Sequence, residues 1–342
     1  MLVKKVSSLK DIARELSVST SLVSYVLNGH AKEKRVNDEV ARKIKAFAEK
    51  HNYSPNQIAK TLKTKKSHTI GLIVGEIHYR YTTGITRSIE LVAKENNYTV
   101  IIGNSHEDLP TLKELIKVMI NRHVDGLVIV ATEDAGKEIE LLLQKEIPFV
   151  LIDRNFPAIK TNFIGIDNYK VAYNAVRYLL RKQRKKIAFF NYKSSFFHLN
   201  ERDRGYFQAL KDQGIRADKF LHKEIGPGRV QEDVRKAIIE LCADRKRFDA
   251  VFFATDTLAI QGLKNLVELK VGIPDEVAVI SFDESEAFSL FHCPITHYRQ
   301  PLEEIGEQSV KMLLKIIEKK SSLKKQVCLE STLVVGMSCG EK

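Results

Sequence analysis

The sequence predicts an α-helical helix-turn-helix head followed by an α/β body of two parallel-sheet lobes. In residues 1–67, apolar residues recur at helical spacing between capping residues. After residue 67, short apolar strands alternate with amphipathic helices. Nine or ten strands are predicted, which is more than one doubly wound sheet of ordinary size contains. We therefore expect a head at 1–53, a hinge helix and linker at 54–67, and a ligand-binding body at 68–342.

The charge of the 342-residue chain is concentrated in its head. The formal net charge is +12, and residues 1–67 contain 15 lysines and arginines against 6 aspartates and glutamates. A basic module on a nearly neutral body indicates a polyanionic partner for that module. The alternative is a solvated basic surface.

Several function classes are excluded by composition and spacing. No apolar run reaches 18 residues, so no membrane span is predicted. The first residues lack the apolar segment of a signal peptide, so a cytoplasmic location is expected. No C-x-x-C pair occurs among the four cysteines, and the ten histidines fall in no metal-ligand spacing. We therefore expect neither a metal nor a cofactor.

Two short helices joined by a tight turn are predicted at the start of the chain. Ser8 fits the N-cap of the first helix, with Asp11 three residues later as in a capping box. Ser19 fits the N-cap of the second, which ends at Asn28-Gly29, where glycine supplies a left-handed C-cap. A third helix is predicted to start at Asn37 and to run to about residue 52.

The second helix carries the side chains that would meet DNA. If it enters a major groove, its outward N-terminal residues face base edges; these are Thr20, Ser21 and Tyr25. Neighbouring hydroxyls and amides suit phosphate oxygens; these are Ser19, Ser24 and Asn28. The alternative for the small residues is helix capping and exposed helix surface.

A third DNA-contacting element is predicted between Tyr53 and Lys63. Pro55 begins a helix of about two turns, which is marginal alone in water and needs a partner to form. Leu62 suits an apolar wedge in a minor groove, and Lys60 beside it suits a phosphate. The alternative is a linker helix whose leucine packs on its own domain.

Four segments of the head match one known family in order and nearly in spacing. They are 9–13, 18–28, 53–56 and 59–62. The chain resembles the lactose-repressor-like (LacI/GalR) transcriptional regulators. This resemblance implies that Thr20, Ser21 and Tyr25 read bases. It also implies that the hinge helix folds on operator DNA in a dimer, with Leu62 of each subunit wedged into the central minor-groove step.

One departure from the family lies between the second and third helices. The link His30–Val36 is about three residues longer than in the family. Lys32, Lys34 and Arg35 in this link are candidates for additional phosphate contacts.

The resemblance continues through the body. Its landmarks are 70–73, 124–127, 148–154, 202–206, 254–259 and 279–283. The family's body is similar to periplasmic sugar-binding proteins, which implies two lobes and three crossings between them, near residues 167, 297 and 324. Lobe 1 would comprise about 68–167 and 298–323, and lobe 2 about 168–297 and 324–342. A small ligand would bind in the cleft, at the carboxyl ends of the strands.

The resemblance assigns five residues to effector binding: Arg202, Asp283, Asp256, Tyr81 and Asp153. A guanidinium and a carboxylate, as in Arg202 and Asp283, give directional bonds to vicinal hydroxyls or to an anion. The alternative is that these two pair with each other, or with Arg204, to close their lobe. Arg154, next to Asp153, is a further candidate, and hinge or capping roles are the alternative for Asp256, Asp153 and Arg154.

Tyr81 falls where the family often has an aromatic residue that stacks on the effector. An aromatic ring would cover the apolar face of a sugar or a base. Phe196 and Phe197 lie in the loop before Arg202 and are further candidates to line the cleft, with packing in the core or on the lobe surface as the alternative.

The sequence thus predicts a sequence-specific DNA-binding regulator, most often a repressor, controlled by a sugar-like small molecule. Two heads on one dimer imply a near-palindromic site in double-stranded DNA. No leucine heptads follow residue 323, so a homodimer is favoured over a tetramer. The alternatives are a DNA-binding protein that is insensitive to ligand and, less favoured, an α/β enzyme. No catalytic residue is predicted, because the chain has no phosphate-cradling Gly-rich loop, no G-x-S-x-G and no H-E-x-x-H.

Overall fold

The computed structural model describes residues 8–53, 66–319 and 324–340. The chain divides into two compact units, 1–67 and 68–342, and each is considered separately below. The predicted hinge helix, with Lys60 and Leu62, lies outside the described residues. In the part of the chain that is described, no helix is both long and apolar enough to cross a membrane.

Three helices form the head, as the capping signals predict: α1 Leu9–Glu15, α2 Thr20–Leu27 and α3 Asp38–Lys50. The predicted caps are present, since Ser8 Oγ accepts from the Asp11 N–H at 3.2 Å and Ser19 Oγ from the Leu22 N–H at 3.1 Å. Asn37 Oδ1 caps α3 by accepting from the Glu39 N–H at 2.8 Å. The helices share an apolar core: Ile12, Ala13, Val23, Val26, Ala41, Ile44 and Ala48.

The long link between α2 and α3 has a defined backbone path. Its residues form one helical turn, closed by a bond of 2.8 Å from the Val36 N–H to the Ala31 carbonyl. Arg35 has φ +51°, the left-handed conformation that ends such a turn. The three candidate cations, Lys32, Lys34 and Arg35, are all exposed.

The first lobe of the body is a six-stranded parallel sheet in the order β11-β5-β4-β3-β1-β2. The strands are β1 Thr69–Val74, β2 Thr99–Asn104, β3 Gly126–Ile129, β4 Phe149–Ile152, β5 Phe163–Ile166 and β11 Gln326–Leu329. Helices cover both faces: α4 Arg80–Glu95, α5 Leu109–Asn121, α6 Gly136–Gln144 and α12 Leu302–Ile317. Alternate residues of β1 enter the two apolar clusters on opposite faces, as a doubly wound sheet requires.

The second lobe repeats this plan in the order β12-β10-β9-β8-β6-β7. Its strands are β6 Ile187–Tyr192, β7 His222–Ile225, β8 Ala250–Phe253, β9 Ala278–Phe282, β10 Thr296–Arg299 and β12 Thr332–Val334. Its helices are α7 Asn168–Arg181, α8 Phe197–Asp212, α9 Val230–Cys242, α10 Asp256–Glu268 and α11 Ala287–Leu290. Short 3-10 helices occupy Pro227–Arg229 and Arg245–Arg247. Only β12 is antiparallel to its neighbour among the pairings described.

Three segments cross between the lobes, and two cross later than expected. The first follows β5 at residue 167, as expected. The second was expected near 297, but β10 pairs with β9 in the second sheet through Tyr298, and the crossing falls at 300–301. The third was expected near 324, but β11 pairs with β5 in the first sheet, and the crossing falls at 330–331. Both strands are short and β11 is a half-exposed edge strand, so the apolar pattern did not mark them.

Twelve strands occur within the described residues, more than the nine or ten expected. Apolar runs predict the buried central strands at 70–74, 149–152 and 251–254 and also the edge strand at 100–103, but not the buried strand β5. The edge strands β7, β11 and β12 are four, four and three residues long and only partly buried. Tertiary pairing therefore defines them more than their own sequence does.

Candidate functional site

A cavity of about 270 Å³ lies between the two lobes, at the carboxyl ends of their central strands. Residues just after β1, β4, β8 and β9 line it: Gly75, Asp153, Thr255 and Asp283. This is where open α/β sheets bind ligands, because the loops after the strands converge there. The volume is just below the range of about 300–1,000 Å³ that is common for small-molecule pockets, so the ligand would be small.

The five residues predicted to bind an effector all line this one cavity: Arg202, Asp283, Asp256, Tyr81 and Asp153. They come from both lobes and from separate segments of the chain. The structure therefore brings together every body residue that the resemblance singled out. Contact with a ligand stays a prediction for each of them.

Arg202 is held rigidly inside the second lobe. It is 3% exposed, and its Nε donates to Asn168 Oδ1 at 2.9 Å while Nη1 donates to the Ala254 carbonyl oxygen. Its guanidinium lies 3.6 Å from the centroid of the Phe282 ring. Gly205, one turn later, lets α8 pack closely on α7, because a Cβ there would lie 2.5 Å from the Tyr169 carbonyl oxygen.

The alternative pairing of Arg202 with Asp283 is only marginally present. Nη1 of Arg202 lies 4.0 Å from Oδ2 of Asp283, at the limit of an ion pair. Arg204 pairs instead with Glu201 on the helix surface, its Nε donating to Oε1 at 2.9 Å. Gln300 Nε2 donates to Asp283 Oδ1 at 2.5 Å. One carboxylate edge of Asp283 thus remains available to the cavity.

Asp153 and Asp283 occupy equivalent positions in the two lobes. Asp153 follows β4 with φ +65°, and Asp283 follows β9 with φ +67°. Aspartate tolerates this left-handed conformation better than most residues do. Burial raises the pKa of both carboxyl groups, that of Asp283 to about 6, although Arg202 opposes the rise in each case.

Asp256 does not cap its helix. Thr255 does so, its Oγ1 accepting from the Leu258 N–H at 3.3 Å. The Asp256 carboxylate accepts from the Thr257 N–H at 2.8 Å, and burial raises its pKa. The capping alternative for Asp256 is therefore wrong, and its carboxylate lies in the first turn of α10 at the cavity.

Tyr81 and His198 each present a buried polar atom that has no hydrogen-bond partner among the described residues. These atoms are Tyr81 Oη and His198 Nδ1. Tyr81 lies in the first turn of α4, and His198 lies four residues before Arg202 on the same face of α8. Burial, together with the nearby charges of Arg202 and Arg154, holds the pKa of His198 well below its ordinary value, so its imidazole is neutral.

The sequence did not predict Glu133, which bridges the lobes, or Glu107, which holds Arg154 within the first lobe. Arg154 donates to the two carboxylate oxygens of Glu107 at 2.5 and 2.8 Å and to the Ala131 carbonyl at 3.1 Å. Glu133 of the first lobe accepts from Ser194 Oγ of the second at 2.9 Å, and from the Ser195 N–H. Glu133 and Glu107 lie in loops, where no hydrophobic periodicity helps to assign a role. The only sequence signal for them is their position shortly after a strand.

Of the two predicted phenylalanines, Phe196 lines the cavity, whereas Phe197 is exposed and is not among the residues that line it. The Arg154 guanidinium of the opposite lobe lies 4.3 Å from its ring centroid. Among the described residues, no group of three or more His, Cys, Asp or Glu side chains is arranged to hold a metal. All four cysteines lie in this part of the chain and are free thiols.

The head presents its predicted base-reading residues on one exposed surface of α2. Thr20, Ser21 and Tyr25 are all exposed. The ammonium of Lys34, in the long link, lies 5.9 Å from the Tyr25 ring centroid. The link therefore lies beside the same surface.

Three residues predicted to contact phosphates also make hydrogen bonds within the head: Ser24 and Asn28 bond to each other, and Ser19 caps α2. Asn28 Nδ2 donates to the Ser24 carbonyl at 2.8 Å and to Ser24 Oγ at 3.2 Å. Ser19 Oγ caps α2, as described above. The Ser19 and Ser24 hydroxyls act as acceptors in these bonds, so each can still donate its O–H to a phosphate oxygen. Capping and phosphate binding are therefore compatible here.

Comparison with known proteins agrees with both modules. A model of the bacterial regulatory proteins of the lacI family matches residues 8–56, and a periplasmic binding protein-like domain matches 176–339. The chain is 32% identical over 322 residues to the HTH-type transcriptional regulator RegA of Clostridium acetobutylicum, covering 92% of this chain and 93% of that one.

Solved structures share the whole fold. A lac repressor dimer bound to operator and the anti-inducer ONPF matches with a TM-score of 0.86 at 20% identity, covering 99% of this chain and all of that chain. A CelR–cellobiose complex matches with a TM-score of 0.73 at 22% identity, covering 97% of this chain and 99% of that one.

A helix-turn-helix head joined to a two-lobed body with a cavity between the lobes defines a class of DNA-binding regulators. The chain belongs to the lacI family of bacterial regulatory proteins. Its relatives and structural neighbours are transcription regulators, not enzymes. The predicted fold class and family are thereby confirmed.

Proposed function

We propose that this regulator is a repressor whose operator binding is controlled by a sugar-like small molecule held in the interlobe cavity. One observation carries the proposal: five residues assigned to the effector from separate segments, between Tyr81 and Asp283, line a single cavity. Three of them are aspartates whose pKa values are raised by burial. Buried ionisable groups that converge in a cleft are typical of a ligand site.

The head supplies the DNA contacts in this proposal. Base edges would meet Thr20, Ser21 and Tyr25, which share one exposed surface. Phosphates would meet Ser19, Ser24, Asn28 and Lys60, and Leu62 would wedge into the minor groove. The concentration of positive charge in residues 1–67 supports this assignment.

We propose a homodimer on near-palindromic double-stranded DNA, acting in the bacterial cytoplasm. Two copies of one head recognise two half-sites related by a two-fold axis. The solved lac repressor neighbour is a dimer on its operator, and the CelR neighbour holds cellobiose. These complexes support a dimer and a carbohydrate effector for this chain as well.

Effector control would operate by coupling between the lobes and the heads. A coupling of about 1–3 kcal/mol changes operator affinity roughly 5- to 150-fold. The effector would favour one relative arrangement of the lobes and thereby one affinity for the operator.

The test begins with selection of a binding site from random duplexes by the full-length protein. Operator affinity is then measured by fluorescence anisotropy, with and without sugars that raise the melting temperature in a concentration-dependent manner. We expect such a sugar to change operator affinity at least fivefold in the parent protein. The same change should occur in Glu140→Gln, whose side chain is exposed on α6, and should be lost in Asp153→Asn.

A ligand-insensitive DNA-binding protein is the competing function. It would select a specific site equally well, but no small molecule would shift either its melting temperature or its operator affinity. That result would contradict the effector part of the proposal and leave the DNA-binding part intact.

A further inference from the structure

We infer that the interlobe cavity selects an uncharged polyhydroxylated ligand and rejects phosphorylated or carboxylated ones. This inference rests on the proposed function, in which the cavity holds the effector. It narrows the effector from sugar-like molecules in general to neutral ones. The argument depends on which charges line the cavity and on what each of them already binds.

Carboxylates outnumber cations around the cavity by six to two. The acids are Glu76, Glu107, Glu133, Asp153, Asp256 and Asp283, and the cations are the guanidiniums of Arg154 and Arg202. No lysine is among the described residues that line it. An anionic ligand would therefore enter a region where like charges predominate.

Both guanidiniums already donate hydrogen bonds to protein acceptors. Arg154 donates to both oxygens of Glu107 and to the Ala131 carbonyl, and its Nε, which makes no hydrogen bond among the described residues, lies 3.4 Å from Asp153 Oδ2. Arg202 is bound by Asn168 and the Ala254 carbonyl. A phosphate group is usually recognised by a bidentate guanidinium or by several N–H donors. The guanidiniums of Arg154 and Arg202 already use N–H donors for acceptors within the protein.

A cationic ligand is disfavoured by the same two guanidiniums. Asp153 and Asp283 both face Arg202, and Asp153 also faces Arg154. At this end of the cavity two aspartates face two guanidiniums, so the formal charges balance there, whereas the acidic excess comes from the other four carboxylates, Glu76, Glu107, Glu133 and Asp256. An ammonium group placed there would be attracted by the two carboxylates but repelled by the two guanidiniums, so it would gain little from binding.

Neutral hydroxyl groups suit the remaining partners. The carboxylate oxygens of Asp153, Asp256 and Asp283 accept hydrogen bonds from hydroxyls without a counter-charge. Tyr81 Oη and His198 Nδ1 are buried and have no hydrogen-bond partner within the part of the chain that the structure describes, so they can exchange hydrogen bonds with hydroxyls of the ligand. Because the imidazole is neutral, it adds no positive charge that would favour an anion.

Aromatic side chains supply the complementary apolar surface. Tyr79, Tyr192 and Phe196 join Tyr81 along the cavity wall. Aromatic rings cover the C–H faces of a pyranose or furanose ring, while the carboxylates bind its hydroxyl edge. Carboxylates on one side and rings on the other therefore match an uncharged sugar.

The experiment compares matched ligands by calorimetry and thermal shift on the full-length protein. The probes are glucose, ribose, cellobiose and a panel of further neutral mono- and disaccharides. Each is paired with its phosphate ester and, where one exists, with its amino sugar. We expect at least one neutral member to bind and its phosphate ester to bind at least tenfold more weakly. An ester or amino sugar that binds more tightly than its neutral parent would overturn the inference and leave the proposed effector function intact.

Variants then test the electrostatic cause. In Asp256→Asn one cavity carboxylate is removed, so the preference for the neutral sugar over its ester should fall at least threefold. The exposed control Glu140→Gln should keep the parental preference. An unchanged preference in Asp256→Asn would contradict the charge argument. If no small molecule of any charge binds, the proposed effector function fails, and the inference fails with it.

Discussion

The guanidinium of Arg154 in the first lobe lies 4.3 Å from the ring centroid of Phe196 in the second lobe. Two further contacts join the lobes beside the cavity. Ser194 donates to Glu133 at 2.9 Å, and Arg80 binds Glu284 at 3.0 Å. The cavity wall is thus made partly of bonds between the lobes. Any change in lobe separation must break these bonds, which links ligand affinity to lobe arrangement.

Glu133→Ala should weaken effector binding at least tenfold. It removes the acceptor of both Ser194 and Ser195, and hydrogen bonds to a charged group contribute about 1.5–3 kcal/mol each. Calorimetry with the neutral sugar identified above provides the measurement. Ser194→Ala is the matched control and should lose less affinity, because the Ser195 N–H bond remains. Equal affinity in Glu133→Ala and the parent would show that the bridge does not contribute to closure.

Asp283 should make the stability of the body depend on pH. Its folded-state pKa of about 6 lies above the ordinary value of about 3.9. Its contribution to stability is therefore complete below pH ~4 and is lost as the pH rises through 6. When the pH is raised from 4 to 8, the free energy of unfolding of Asp283→Asn should therefore rise relative to that of the parent by on the order of 2–3 kcal/mol. Thermal unfolding at both pH values measures this, with the exposed Asp134→Asn as a control that should show no such gain.

Arg202 and Asp283 should show coupling in a double-mutant cycle, because their charges lie 4.0 Å apart. Arg202→Ala leaves Asn168, the Ala254 carbonyl and Asp283 without their buried cation. Loss of one partner of a buried pair costs about 3–5 kcal/mol. The double variant with Asp283→Asn should be more stable than Arg202→Ala alone, because the uncompensated carboxylate is gone. Urea unfolding measures the free energy of unfolding of each variant. If the effects of the two substitutions simply add, the interaction between Arg202 and Asp283 contributes nothing to stability.

Much of the head follows from local sequence, whereas the cavity does not. Ser8 and Ser19 cap the helices they were predicted to cap, because a cap depends on residues only three positions away. Glu133 and His198 were missed, since their roles arise where two lobes approach or where a side chain is buried by distant segments. The strand Gln326–Leu329 was assigned to the wrong lobe for the same reason: its position is set by pairing with Phe163–Ile166.

Tyr25 and Lys34 should affect DNA binding in different ways, although they lie 5.9 Å apart. Tyr25→Ala should alter base preference at one or two positions of each half-site, because it changes a side chain placed for base readout. Lys34→Ala should weaken all sites alike and reduce the slope of log K against log[salt] by about 0.9, the value for one lost phosphate contact. Binding to a randomised operator library at several salt concentrations distinguishes them. Lys45→Ala, on the exposed side of α3, serves as the charge-matched control.

Leu62→Ala tests the predicted minor-groove wedge, which lies outside the described residues. Inserting an apolar side chain between base pairs unstacks them and bends the duplex, and the bend allows further contacts. The variant should therefore bind the selected operator more weakly by a few kcal/mol and bend it less, while affinity for nonspecific DNA stays unchanged. Gel mobility of circularly permuted operator fragments measures the bend. Lys60→Ala should lower affinity through one phosphate and keep the parental bend, so a full bend with Leu62→Ala would exclude the wedge.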